Sequence, residues 1–201
     1  MGSQKMNKLI YGIAINNGKY PALVGNKTVK EYALWKSMLQ RCYCNKYQVK
    51  QPTYIGCSVS DNFKSYSYFY DWCQNQIGFF ERDTNGRDWH LDKDILVRDN
   101  KVYSEDNCVF VPREINAFFN AKNNDRGEHP LGVSFNKKTG KYRARCNRYG
   151  DLVCLGDFNC PEKAYTVYRK FKENLCKETA AKWRGQVDNR VYDAMMTWSV
   201  E

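Results

Sequence analysis

Residues 89–116 set the tightest limit on how this chain can fold. Trp89-His90-Leu91-Asp92-Lys93-Asp94-Ile95-Leu96 reads as a strand, the polar turn Arg98-Asp99-Asn100-Lys101 sends the chain back, and Cys108-Val109-Phe110-Val111 reads as a second strand. Pro112 then stands at a first helical position, where its missing N–H costs nothing, and opens a helix expected through Asn120. A hairpin followed at once by a helix is therefore expected at the centre of the chain.

The flanking regions have other rhythms. Residues 1–30 are punctuated by Gly and Asn between short apolar runs and read as irregular chain or a hairpin. From Val29 to Cys42, Tyr32, Trp35, Met38, Leu39 and Cys42 recur at three- and four-residue steps, which is an amphipathic helix. Phe63, Tyr66, Phe69, Tyr70 and Cys73 predict a second helix over Phe63–Gln76 with an aromatic core face. The polar run Lys122-Asn123-Asn124-Asp125-Arg126-Gly127-Glu128 predicts a linker over 123–130 between a domain at 31–122 and a smaller one at 131–178. Strands are expected near Gly132–Phe135, Tyr142–Asn147 and Leu152–Leu155, then a helix from Pro161 to about Cys176. The tail, 179–201, reads as helical with a break near Gly185 and Asp188-Asn189.

Thirty-two basic residues against 22 acidic leave a net charge of +10 in 201 residues, so a polyanion is the expected partner, nucleic acid before membrane. No apolar run is long enough to span a bilayer, and Met1–Ile10 lacks the apolar core of a secretion signal, so a cytoplasmic protein is expected. The nine cysteines are odd in number and lack paired C-x-x-C spacing, which argues for reduced thiols in the core and against a disulfide framework or a structural zinc.

The central segment also carries chemistry. Asp92 is followed by Asn107 after 15 residues and Asn116 after nine more, with His90, Lys93 and Asp94 beside the first. On an ideal strand His90, Asp92 and Asp94 share one face while Lys93 points the other way. The plain alternatives are a strand histidine in solvent, an acidic pair that caps a turn, and asparagines that tie down a loop or decorate a helix.

Around this segment the chain resembles the HNH-like nuclease proteins common in bacteriophage genomes. The resemblance rests on Tyr32-x-x-Trp35-x-x-Met38-x-x-Arg41-Cys42-Tyr43, Pro52-Thr53-Tyr54, Cys57-x-Val59, the aromatics Phe63, Phe69 and Trp72, Leu91-Asp92-Lys93-Asp94-Ile95, Tyr103-Ser104-x-x-Asn107-Cys108-x-Phe110-Val111-Pro112 and Ile115-Asn116. It implies a ββα-metal domain in which Asp92 and Asn116 hold magnesium or manganese, Asn107 orients the catalytic base, and a metal-assisted water cleaves a phosphodiester. Lys93 departs from the pattern, for it stands where such sites keep the catalytic histidine. A lysine, with an ordinary pKa near 10.4, is protonated at neutral pH and a poor base. Either His90 takes over that duty or the scaffold has lost hydrolysis.

The second chemical signature lies in the C-terminal third. Lys137, Lys138, Lys141, Arg143, Arg145 and Arg148 place six positive charges in twelve residues without an acid. In a strand Lys141, Arg143, Arg145 and Asn147 project from one face, and Tyr142, Ala144 and Cys146 from the other, so a basic surface separates from a packing face. The pattern Gly132-Val133, Lys141-Tyr142-x-Ala144, Leu155-Gly156-x-Phe158, Glu162-x-Ala164-x-x-x-Tyr168 resembles the APETALA type of DNA-binding domain. It implies three strands on one helix, with the arginine-bearing middle strand as the DNA reader.

The expected molecule is thus an α+β protein: an HNH-like ββα-metal nuclease-type domain, then a small three-stranded antiparallel sheet plus helix. The expected activity is metal-dependent nicking of double-stranded DNA, in a host cytoplasm if the chain is phage-encoded. The alternatives are an inactive DNA-binding regulatory or counter-defence protein on the same scaffold, and a basic inhibitor of a host protein. The helical tail is also a candidate for pairing two copies as a homodimer.

Overall fold

The computed structural model describes residues 9–119 and 128–200, so residues 123–127 of the linker expected at 123–130 lie outside them. The chain is mixed α+β, and no helix among the described residues is long and apolar enough to cross a membrane. It forms two compact units that divide between Pro112 and Arg113, ahead of that linker.

In the first unit a small hairpin, β1 (Leu23–Val24) with β2 (Lys27–Thr28), precedes α1 (Lys30–Tyr43). The apolar stripe of α1 is buried as the periodicity predicts, with Trp35, Met38, Leu39 and Cys42 inside. The Trp35 indole N–H donates to the Phe63 carbonyl at 2.7 Å, so the one polar atom of this large side chain is satisfied in the core. A short α2 (Asn45–Lys50), a 3-10 turn at Pro52–Tyr54 and β3 (Ser58–Val59) follow. None of the three was legible as an element, because each is too short to show a period.

The single helix expected over Phe63–Gln76 is instead a 3-10 turn at Asn62–Lys64 and then α3 (Tyr66–Gln74). Ser65 breaks the run: its backbone is extended and its hydroxyl accepts from Tyr68 N, a local bond that starts a fresh helix.

The strand expected over Trp89–Leu96 stops early. Only His90–Asp92 (β4) pairs, antiparallel to Val109–Val111 (β6), with Asp92 opposite Val109 and His90 opposite Val111. Between them β5 (Val102–Tyr103) runs parallel to β3. The hairpin-like order is present, and His90 and Asp92 keep the two-residue alternation of one strand, but Asp94 lies beyond its end. His90 is exposed and Asp92 buried, and beyond Asp92 the chain leaves the strand.

The second unit opens with α4 (Arg113–Phe119), the helix expected after Pro112. The Glu114 carboxylate accepts from Lys182 Nζ at 2.8 Å and from the Trp183 indole at 3.1 Å, and Phe118 meets Trp198 edge-on at 6.1 Å. An antiparallel sheet follows in the order β7 (Val133–Asn136), β8 (Lys141–Arg148), β9 (Asp151–Phe158). Tyr149 and Gly150, both at positive φ, form the two-residue turn between β8 and β9, a geometry that suits glycine.

Helix α5 (Pro161–Trp183) covers one side of the sheet, with Ala144, Cys146, Ala164 and Tyr168 at the centre of the packing. It runs past the expected end near Cys176 because Leu175, Cys176, Thr179 and Ala180 remain buried, giving the extra turns a core of their own. The tail breaks at Gly185 and restarts as α6 (Asn189–Thr197), with the Asp188 carboxylate capping Arg190 N at 2.8 Å. All nine cysteines are free thiols, and six of them, Cys42, Cys57, Cys73, Cys108, Cys146 and Cys176, are buried.

Candidate functional site

Asp92 ends β4 by folding its own side chain forward. Its Oδ1 accepts from Asp94 N at 2.7 Å and from Ile95 N at 3.0 Å, so the carboxylate caps the loop that follows. That local bond competes with the ladder and explains why the strand stops. Oδ2 has no hydrogen-bond partner among the described residues and is not sealed from solvent. Burial pushes the Asp92 carboxyl above the ordinary aspartate value, against the opposing pull of the Asp94 and Ile95 N–H groups.

Lys93 lies inside. Its side chain is 6% exposed, and Nζ donates to Asp94 Oδ1 and to the Asn100 carbonyl, both at 2.5 Å. The ammonium also lies 5.6 Å from the centre of the Tyr103 ring, close enough to feel its face. Asn100 completes the clasp: its amide donates to Lys93 O at 2.8 Å and Val102 O at 2.7 Å, and its Oδ1 accepts from Val102 N at 3.0 Å. Asn107 joins from the far side, donating to Asn100 Oδ1 at 3.4 Å.

Asp92, Lys93 and Asn107 are therefore brought together, but as parts of one loop-holding network. Beyond the end of the strand at Asp92, the Lys93 side chain lies in the interior, bonded to Asp94 and Asn100. His90 sits exposed on β4, and Asn116 is half-buried on α4 in the second unit. Asn100 was missed at the sequence level because a turn asparagine carries no period, and only its three contacts reveal its weight. Among the described residues no group of three or more His, Cys, Asp or Glu side chains is arranged to hold a metal ion.

The basic face emerges as predicted. Along β8, Ala144 and Cys146 are buried while Lys141, Arg145, Asn147 and Arg148 are exposed. Lys137 and Lys138 are exposed in the turn before β8, where Asn136 Oδ1 accepts from Lys138 N at 3.1 Å. Arg148 reaches Glu178 at 3.3 Å, a solvent-exposed pair of little energetic weight.

Arg143 is held differently. Asp157 on β9 accepts from its Nε at 2.6 Å and its Nη2 at 2.7 Å, a fork-on-fork pair across neighbouring strands. A register shift makes this pairing: Ala144 faces Gly156 but Arg145 faces Cys154, leaving Leu155 as an extra residue. Strict alternation inward from Val153 would turn Asp157 to the helix side, and the bulge flips it outward opposite Arg143. The Arg143 side-chain bonds in turn hold the Asp157 carboxyl below its ordinary range. Among the described residues Lys141 and Arg145 make no ion pair, so the face stays cationic around the Arg143–Asp157 pair.

No protein-family model, no curated protein and no solved structure matches this chain.

Proposed function

We propose that this chain binds double-stranded DNA through the outer face of the three-stranded sheet, and that the domain expected over residues 31–122 is an HNH-like nuclease scaffold of the phage type. The observation that carries this reading is the division of β8 between a face of Lys141, Arg143 and Arg145 and a buried face of Ala144 and Cys146 against α5. A small sheet of this width fits a major groove, where arginines meet base edges and lysines hold phosphates. Lys137 and Lys138, in the turn before the strand, extend the cationic surface along the path of a backbone, whereas Arg148 has the parity of Ala144 and Cys146 and pairs with Glu178 on the helix side.

The test is gel retardation of mixed duplexes at low salt, with and without Arg143→Ala/Arg145→Ala. Binding that falls steeply as salt rises and is weakened by the double substitution is expected. Undiminished affinity in the double variant would refute the sheet as the interface.

A second reading, strand cleavage, is favoured by Asp92 Oδ2, which has no hydrogen-bond partner among the described residues and could take a divalent ion of the magnesium or manganese type. With the Lys93 ammonium engaged by Asn100 and Asp94, water activation in that reading falls to His90. Supercoiled plasmid incubated with magnesium, manganese or EDTA decides it. Metal-dependent nicking lost in Asp92→Ala supports an endonuclease. Salt-sensitive binding without nicking leaves a regulatory or counter-defence protein on a nuclease scaffold, and a chain that ignores DNA but co-purifies with a host protein is an inhibitor.

A further inference from the structure

Arg41 brings a positive charge into the first unit with no carboxylate paired to it among the described residues. It stands in the last turn of α1, where Gln48 Nε2 donates to its carbonyl at 3.1 Å and to that of Cys42 at 2.8 Å. Its guanidinium lies 5.5 Å from the centre of the Tyr54 ring, and Nη1 makes one long bond, 3.4 Å, to the Tyr103 hydroxyl. Nε is sealed from solvent and has no acceptor. Among the described residues no carboxylate pairs with Arg41, and Asp94, which also acts on Tyr54, is taken by Lys93. Burial pushes both the Tyr54 and Tyr103 phenols up, so neither is an anion at neutral pH.

The C-terminal end of α1 and the Tyr54 ring face both favour a cation, which explains why Arg41 is tolerated there. They do not explain a guanidinium with five N–H donors of which one is engaged. Buried donors are nearly always satisfied, and an orphan in a folded protein points to a missing water or ion. Of the guanidinium nitrogens without an acceptor, Nε alone is cut off, so the Nη2 edge keeps an opening to solvent.

We infer that Arg41, braced by Tyr54 and Tyr103, anchors a site for a phosphate-type oxyanion. A planar fork that faces the Tyr54 ring, with Nη1 on the Tyr103 hydroxyl and Nη2 open to solvent, suits phosphate oxygens better than any neutral ligand. The anion is either a phosphodiester of a nucleic-acid backbone or a free phosphate group. The inference concerns the first unit alone and stands whether or not the sheet of the second unit binds DNA.

Arginine side-chain 15N spectra of the full chain test it without a substitution. The Arg41 Nε resonance is followed during titration with inorganic phosphate, with the dinucleotide TpT, and with sodium chloride at matched ionic strength. Saturable movement with phosphate or TpT but not with chloride is expected, and Arg41→Lys, which keeps the charge and loses the fork, should bind at least fivefold more weakly. Tighter binding of TpT identifies a backbone phosphodiester, and tighter binding of inorganic phosphate identifies a free oxyanion. An Arg41 resonance that ignores both anions, or an Arg41→Lys protein of unchanged affinity, overturns the inference.

Discussion

Replacing Lys93 with methionine separates a lysine that holds the fold from one left over at a former catalytic position. Methionine keeps the aliphatic stem and deletes the ammonium, so it removes the bonds to Asn100 O and Asp94 Oδ1. The Asn100 bond is charge-assisted and contributes about 1.5–3 kcal/mol, because the carbonyl it leaves behind is half-buried and without that donor. The Asp94 pair contributes less, about 0.5–1 kcal/mol, since Asp94 is 41% exposed and rehydrates when its partner goes. Relief of the buried ammonium's desolvation offsets part of this, leaving a net loss of about 2–3 kcal/mol. For a unit of this size that corresponds to a fall of roughly 10 °C in its melting temperature. Trp35 and Trp89, both in the core of the first unit, give a fluorescence signal for its unfolding in urea or on heating. Lys93→His, which puts an imidazole at the place where a nuclease keeps one, should be destabilised similarly, for its shorter side chain does not span to the Asn100 carbonyl. A methionine variant as stable as the parent, or more so, would refute the clasp and restore the view of Lys93 as a mere lost base.

Three further outcomes are expected. Gly132→Ala should destabilise the second unit by about 2–5 kcal/mol by overpacking and left-handed strain, because the new Cβ would lie 2.1 Å from Tyr168 Cδ2 at a φ of +75°; an unchanged urea midpoint would contradict that packing. Burial raises the Asp92 pKa in the folded state, so its stabilising contribution is full below the unfolded aspartate value and is lost as pH rises through the raised folded value. The stability of the parent relative to Asp92→Asn should therefore fall as pH rises above the ordinary aspartate value, measured by denaturation across a pH series, and a rise would reverse the assignment. Asp157→Asn removes the acid from the cationic face and frees Arg143, so DNA retardation should strengthen and its salt dependence steepen, by roughly one unit of slope at most; weaker binding would mean that Asp157 is needed to hold Arg143 in place.

Much of the candidate interface could be read from the chain because it depends on a period of two. Lys141, Arg143 and Arg145 alternate with Tyr142, Ala144 and Cys146, and no tertiary contact is needed to know that they face opposite ways. The same holds for α1, where Trp35, Met38 and Cys42 recur at helical steps and are all buried. Aromatic spacing was less reliable around Phe63, where one serine hydroxyl outweighed a continuous apolar stripe and split the element in two.

The amino-acid order alone settled which residues alternate, where glycine and proline punctuate, and that the net charge is strongly positive, because these are properties of neighbours along the chain. Folding decided what no local pattern encodes: that Asp92 caps a loop, that Lys93 turns inward to Asn100, that a bulge at Leu155 sets Asp157 against Arg143, and that Arg41 Nε is buried with no acceptor among the described residues. Each of these is a meeting of polar groups whose partner is chosen by distance in space and by the cost of leaving a buried donor or charge unsatisfied.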